Sequence, residues 1–409
     1  MKKLAIIGGS SPFTTSLICE LERVAAELPP LHLALHGRNN RNLVVVAEFA
    51  RIKLGRFGWE TTFSNSLEEI LSGAEIVIHQ ARYGGMKLRQ DCEVFCAEND
   101  VLADETLGPA ALISCLKLRN QLENTNDALV SYCPDAVILN LTNPLSIVTA
   151  LMSRRLELVF GLCELPVHTL NLVADTFEVE SNEIEFDYIG LNHRGFFSRI
   201  EHNGTDLLDA IGAQPPSFQI GGIDAATVKQ LGALPTKYFG LFQNQTSRAK
   251  PRAQKLTALA EEIIQQIEMN PYETPPALGD RDTSWYEEAV VPVITTLCGD
   301  TPREHCVNVL SSEGIVVELF GEVDGQRVAA RKRSAAPQSM VRDWCDCFEK
   351  HETRFLAAIL EPSYENILET VAADPTIERR KSRTLADKIY RMVEGDLIAA
   401  EPEFGCDRS

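Results

Sequence analysis

Four apolar residues, Leu4-Ala5-Ile6-Ile7, run straight into Gly8-Gly9-Ser10-Ser11-Pro12-Phe13-Thr14 at the start of the chain. A run that is apolar at every position suits a strand buried on both faces. Such a strand needs helices above and below it, and this constrains the fold more than any other feature of the sequence. The pattern is kept for 160 residues. Leu31–Leu35, Ile76–Ile78, Val137–Leu139 and Leu158–Phe160 read as further buried strands. Thr14–Leu28, Arg41–Leu54 and Gly108–Glu123 have helical spacing. Strand–helix alternation gives a parallel, doubly wound sheet with right-handed crossovers.

The expected fold class is therefore α/β: a Rossmann-like dinucleotide-binding domain over 1–160, then an α+β domain over 161–409 for metal, substrate and oligomerisation. In the second part, Pro166–Phe177 reads as a helix, and Glu183–Ile189 and Arg194–Glu201 as strands meeting at a turn. Gly204–Arg252, with Pro215-Pro216 and Gly221-Gly222, reads as irregular or as a lid. Ala253–Glu268 and Asp282–Leu297 read as amphipathic helices, Val307–Val309 and Ile315–Leu319 as strands. A helical tail begins at Met340 and reaches about Glu394, and Glu401–Ser409 is expected to fray.

Composition removes several functions. Lys plus Arg number 39 against 58 Asp plus Glu, a net charge of −19. Nucleic acid and anionic lipid both select clustered cations, so neither is an expected partner. No stretch approaches the ~20 apolar residues of a membrane span. The first apolar run is too short for a signal-peptide core, which needs ~7–15 residues. Eleven cysteines without paired CxxC motifs read as reduced thiols of a cytoplasmic protein.

The glycine-rich turn carries the first candidate site. Small residues let the backbone approach a pyrophosphate, and the following helix offers N–H groups and a positive dipole end. Gly8, Gly9, Ser10, Ser11, Phe13 and Thr14 are the cofactor candidates. After the second strand an NAD protein is expected to place a carboxylate, yet the sequence reads Leu35-His36-Gly37-Arg38-Asn39-Asn40. Arg38 is either a solvated loop residue or a partner for a 2′-phosphate, which would favour NADP over NAD.

Leu139-Asn140-Leu141-Thr142-Asn143-Pro144 follows a buried strand. It places Asn140 near the cofactor and Asn143 near cofactor or substrate, although Asn-Pro is also an ordinary helix start. Strand-Thr-Asn-Pro-helix is similar to lactate and malate dehydrogenases. Cys163, in Gly-Leu-Cys-Glu, and His193, in Gly-Leu-Asn-His, both end apolar runs. Together they could hold a divalent metal with open positions. On spacing alone, a buried thiol and a hydrogen-bonded imidazole are commoner.

In their order, these segments resemble glycoside hydrolase family 4, the NAD- and metal-dependent glycosidases. The set comprises the Ser-Ser-Pro-Phe-Thr turn, Arg82-Tyr83-Gly84-Gly85 with Arg89, Glu105-Thr106-Leu107-Gly108-Pro109, Asn140–Pro144, Gly161-Leu162-Cys163 and Gly190–His193. The resemblance implies hydride removal from sugar C3 to the dinucleotide, deprotonation at C2, elimination at C1, water addition and hydride return. It implies Cys163 and His193 as ligands of a divalent metal, manganese for preference. It implies Tyr286 as the base, Asn143 on substrate hydroxyls, Arg82 near cofactor or substrate, and assembly as dimers or tetramers. Many members act on 6-phosphorylated sugars, for which Arg82, Arg89, Arg252 and Arg281 are the candidate phosphate ligands.

Several positions depart from the family pattern. Glu164 follows the ligand cysteine where Asp, Asn or His is usual, and could act as a general acid. Ser10 replaces the third glycine, the acid after strand two is missing, Asp104 replaces Gln, and Ser312-Glu313-Gly314 replaces Asn-Asn-Gly. These departures keep two alternatives open: a non-catalytic dinucleotide or sugar-phosphate sensor, and an NAD(P)-dependent 2-hydroxyacid dehydrogenase.

Overall fold

The computed structural model describes residues 1–243, 252–299 and 301–398. Six parallel strands form the centre: β1 (Lys3–Ile7), β2 (His32–His36), β3 (Glu60–Ser64), β4 (Ile76–His79), β5 (Val137–Asn140) and β6 (Val159–Gly161). Their order in the sheet is β3-β2-β1-β4-β5-β6, the dinucleotide-fold order in which the chain reverses direction across β1 and β4. Leu4 and Ile6 join one apolar cluster and Ala5 and Ile7 another. The sheet is thus covered on both faces, which is why β1 is apolar throughout. Helices α1 (Thr14–Val24), α2 (Asn40–Gly55), α3 (Leu67–Leu71), α4 (Gly85–Asn99), α5 (Gly108–Tyr132) and α6 (Leu145–Ser153) make the crossovers.

The same sheet continues into the second half of the chain. Strands Arg303–Leu310, Val316–Val323 and Val328–Ala330 add to it antiparallel beyond β6, joined through Asn308 beside Gly161. After β6, α7 (Leu165–Phe177) leads to a hairpin of β7 (Glu185–Leu191) and β8 (Arg194–His202). Phe186, Phe196, Phe197 and Phe348 pack in the core beneath that hairpin.

The structure gives detail to three expectations. The segment read as irregular after Gly204 is built, through Gln243, of short strands and helices; Leu234–Pro235 pairs with Phe196 and Phe197 of β8. Residues 244–251 of that segment, and the terminus expected to fray, lie outside the described residues. The helix expected over Asp282–Leu297 runs without a gap from 284 to 298, with a wide π-turn at Tyr286–Val290 inside it. Pro292 accounts for the widened turn, since it has no N–H to continue an α ladder. The helical tail is made of three helices: Ser339–Leu360, Tyr364–Ala373 and Ser382–Ile398. Among the described residues, no helix is long and apolar enough to cross a membrane.

Candidate active site

Parallel strands all end on the same side, so the motifs singled out in the sequence share one edge of the sheet. At β1, the Gly8 and Gly9 amides donate to the His36 carbonyl at 3.1 and 2.7 Å. This docks the glycine turn on the end of β2. Gly8 has φ +97, and a Cβ there would come within 2.7 Å of the Gln80 carbonyl; the turn therefore needs glycine. Phe13 and Thr14 face inward. Phe13 is buried beneath the Arg281 guanidinium, 3.9 Å from its ring centre. The buried Thr14 hydroxyl accepts from Gln80 Nε2 at 2.9 Å. Gly8, Ser10 and Ser11 keep exposed surface, so the backbone of these residues, rather than the side chains of Phe13 and Thr14, is offered to a ligand.

Asn140 is likewise engaged with the protein. It is fully buried, its Oδ1 meets His79 Nδ1 at 2.8 Å and the Thr142 amide at 3.0 Å, and its Nδ2 donates to Thr149 Oγ1. Its side chain shapes the loop that carries Asn143 and has no surface left for a cofactor. Asn143 is exposed at the mouth of the site, precedes a cis proline, and accepts from Thr106 Oγ1 at 3.2 Å. Its amide nitrogen is left for a ligand.

His79 sits between Asn140 and the Tyr83 hydroxyl, and burial draws its pKa down to about 4, against the raising effect of the Asn140 bond. Folded His79 stays neutral where an unfolded histidine takes up a proton, below about pH 6.5. Stability is therefore complete above pH 6.5 and falls as pH drops towards 4, by about 3 kcal/mol for this group. His193 and His305, drawn by burial to about 3 and about 4, act in the same direction. The urea midpoint at pH 5.0 is expected below that at pH 7.5; equal midpoints would contradict the neutral buried state.

Cys163 and His193 come together through long-range pairing. Cys163 lies just past β6, buried, its thiol 3.8 Å from Glu164 Oε2. His193 occupies the two-residue turn between β7 and β8 with φ +63, a conformation that histidine tolerates better than most residues. Buried carboxylates hold both flanks of that turn. Asn192 Nδ2 donates to Glu318 Oε1 at 3.2 Å, and Arg194 Nη2 donates to Glu352 Oε2 at 2.5 Å. Breaking a buried ion pair such as Arg194–Glu352 costs about 3–5 kcal/mol. The Asn192 side chain also reaches the Cys163 thiol, so one residue bridges the two candidate ligands.

Gly195 leaves room for the Tyr188 ring, whose hydroxyl donates to Glu318 at 2.5 Å. Gly195→Ala would drive a methyl into that hydroxyl. We expect at least about 3 kcal/mol of lost stability, read as a lower urea midpoint.

The donor set suits a divalent cation. His193 Nδ1 is buried without a hydrogen-bond partner, and its depressed pKa keeps the imidazole in the neutral, ligating form. Burial and the nearby Glu164 and Glu318 charges hold the Cys163 thiol well above its usual range, so a cation would have to displace a proton there. Among the described residues, no group of three His, Cys, Asp or Glu side chains is poised for a metal. A two-residue set leaves coordination positions for substrate oxygens.

The tyrosine stacked beside these candidate ligands is Tyr238, whereas the Tyr286 hydroxyl is bonded to Gln80. Thr236 N donates to the Gly195 carbonyl at 3.0 Å, which extends the zipper of Leu234–Pro235 along β8. The next turn then lays the Tyr238 ring on His193, 4.0 Å between centres and 7° from parallel. Burial raises the Tyr238 pKa, and the charges of Asp104, Cys163 and Glu164 raise it further. Tyr286 is buried at the π-turn, donates to Gln80 Oε1 at 2.8 Å, and is pushed up to about 12 by burial. Through Gln80 it supports the nucleotide turn. Nothing in the sequence marked Tyr238: it lies in the segment read as irregular, and only strand pairing across some forty residues brings it to His193. Lys237 lies in the same segment, and Gln80, Asn192 and Glu318 reach the site only through long-range contacts. Lys237 lies close enough to lower the pKa of both Glu164 and His193.

The four candidate phosphate ligands converge. Burial draws Arg281 down to about 10, and the charges of Arg82, Arg252 and Arg89 push the same way. Glu105 neutralises part of the cluster, pairing with Arg82 at 2.8 Å and with Arg89. Among the described residues, Arg252 and Arg281 have no carboxylate ion-pair partner. Asp104 is a local cap that accepts from the Thr106 and Leu107 amides at 2.8 and 3.1 Å.

A family model described as family 4 glycosyl hydrolase matches residues 3–179, and its C-terminal-domain counterpart matches 188–377. The chain belongs to family 4 of the glycosyl hydrolases. A probable 6-phospho-beta-glucosidase of Bacillus subtilis is 24% identical over 339 residues, 76% of this chain and 77% of that protein. The 6-phospho-beta-glucosidase of Thermotoga maritima, solved with manganese, NAD+ and glucose-6-phosphate, superposes with a TM-score of 0.85 at 20% identity, covering 97% of this family 4 chain and 99% of that one. A 6-phospho-alpha-glucosidase from gut microorganisms, solved with NAD and Mn2+, gives 0.83 at 20% identity and covers 97% and 98%. Both likenesses are those of a whole fold.

Proposed function

We propose that this chain hydrolyses 6-phosphorylated glucosides by transient oxidation of the sugar. It would use a nicotinamide dinucleotide at Gly8–Ser11 and a divalent cation, manganese for preference, at Cys163 and His193. The observation that carries this reading is the stack of Tyr238 on His193 beside Cys163, at the same sheet edge as the glycine turn. The NAD, manganese and sugar phosphate held by similar folds support it. When bound, the dinucleotide would supply a hydride acceptor for C3, and the cation would draw charge from the C2 and C3 oxygens and ease ionisation of Tyr238.

The chain's own residues supply the rest. Arg82, Arg252 and Arg281 hold the phosphate, the last two having no carboxylate ion-pair partner among the described residues. Asn143 Nδ2 orients sugar hydroxyls. The Tyr238 hydroxyl takes the C2 proton, the role that the resemblance alone gave to Tyr286. Burial raises the Glu164 carboxyl pKa, so it is poised to give a proton to the departing glycosidic oxygen. Once deprotonated, it takes a proton from the incoming water. The resemblance further implies a homo-oligomer, which light scattering of the purified protein would test, and the cysteine pattern is that of a cytoplasmic protein.

The test is release of p-nitrophenol from α- and β-linked nitrophenyl glucoside 6-phosphates by nucleotide-stripped protein. Release should require both Mn2+ and dinucleotide, and the preferred anomer is read from the same plate. Release that persists with chelator and without dinucleotide would sink the proposal.

A further inference from the structure

We infer that the dinucleotide this chain prefers carries a phosphate on its adenosine 2′-oxygen. The inference rests on the reading of Gly8–Ser11 as the nucleotide turn. In a sheet of this order the adenosine ribose comes to the end of β2, where NAD proteins keep a carboxylate to accept from the 2′-hydroxyl. Here β2 ends at His36 and runs into Gly37-Arg38-Asn39-Asn40, with no acid.

These residues are physically part of the turn's surroundings. The His36 carbonyl takes both the Gly8 and Gly9 amides. Gly37 lies so close to Ser10 that a Cβ at position 37 would overlap the serine side chain. A ribose seated on the turn therefore meets His36 and Arg38.

His36 Nε2 lies 3.2 Å from the Asn65 carbonyl, and a carbonyl can only accept. The ring proton then sits on Nε2, leaving Nδ1 as a lone-pair acceptor. Nδ1 is buried and has no partner in the protein. It can accept from a ribose hydroxyl as a carboxylate would, but it carries no charge to repel a phosphate.

Arg38 is exposed and, among the described residues, has no carboxylate partner. The contrast with Arg41 is direct: that guanidinium is clamped by Glu261 at 2.9 Å and Glu268 at 2.8 Å. The charge of Arg38 reaches His36 at the end of β2 and Tyr83 beyond the end of β4. These two groups flank β1, where the sheet order reverses. A 2′-phosphate beside Arg38 meets a fork of donors that, among the described residues, no carboxylate occupies.

Full-length protein stripped of nucleotide would be titrated with NADPH and, separately, with NADH, following nicotinamide fluorescence. NADPH should bind about tenfold tighter or more, as one charge-assisted contact predicts. Arg38→Ala should bring the two affinities to within about twofold by weakening NADPH alone, and added salt should narrow the wild-type gap. Equal affinities, or tighter NADH, in the wild type would overturn the inference. So would an Arg38→Ala protein that weakens both ligands equally, because Arg38 would then read a group common to both. Binding of neither ligand would overturn the reading of the glycine turn itself.

Discussion

The Cys163→Ala protein is expected to bind Mn2+ at least about 100-fold more weakly than the wild type and to lose metal-dependent turnover to background. Among the described residues the proposed site has two donors, Cys163 and His193, so removing the thiolate would take half of the protein's share of it. The loss should not come from unfolding. Cys163 is small, and truncating it leaves a cavity of about one sulfur atom, worth about 1 kcal/mol. Titration of Mn2+ by electron paramagnetic resonance, beside urea curves for both proteins, separates the two causes. His193→Asn should behave alike, because asparagine tolerates the left-handed backbone that this turn demands. Unchanged Mn2+ affinity in both variants would remove the metal from this site.

Tyr238→Phe is expected to lower kcat by about 10²–10⁴-fold, the usual worth of a positioned acid or base, with Mn2+ affinity changed only a few-fold. The phenyl ring keeps its stack on His193, so only the hydroxyl is lost. Tyr286→Phe removes one hydrogen bond, to Gln80. It should lower kcat by less than about tenfold and act chiefly through the KM for dinucleotide. Measuring both variants decides between the two tyrosines. A severe loss in Tyr286→Phe with near-normal Tyr238→Phe would return the base to the position that the motif resemblance suggested.

Five of the six parallel strands are legible because burial on both faces leaves polar residues only at their ends. β3, Glu-Thr-Thr-Phe-Ser, escaped notice since it is the sheet's edge, paired only with β2 and mostly exposed. Helix α4 escaped because Cys92 and Cys96 are its only buried residues and leave little apolar period to detect. The site divides in the same way. Gly8–Ser11, Cys163 and His193 stand out as candidates in the sequence because each closes a strand and local sequence carries that fact. Tyr238, Asn192 and Glu318 do not. Their roles depend on which distant strand lies beside them, and the residues around Tyr238 have no period at all. Asn140 was found but misjudged: a polar residue closing a buried strand can as readily shape the loop after it as face a ligand. Whether Arg82, Arg89, Arg252 and Arg281 met was open in the sequence, since they come from four separate segments, and the fold brings them to one cluster.

The central claim is that the C2 proton of the sugar leaves and returns in every turnover. Glucose 6-phosphate formed from a 6-phosphoglucoside in D2O, with Mn2+ and dinucleotide present, tests it directly by proton NMR. The account predicts deuterium at C2 of the product from the first turnovers onward. Product that keeps its original hydrogen at C2 while the glycosidic bond is cleaved would contradict it.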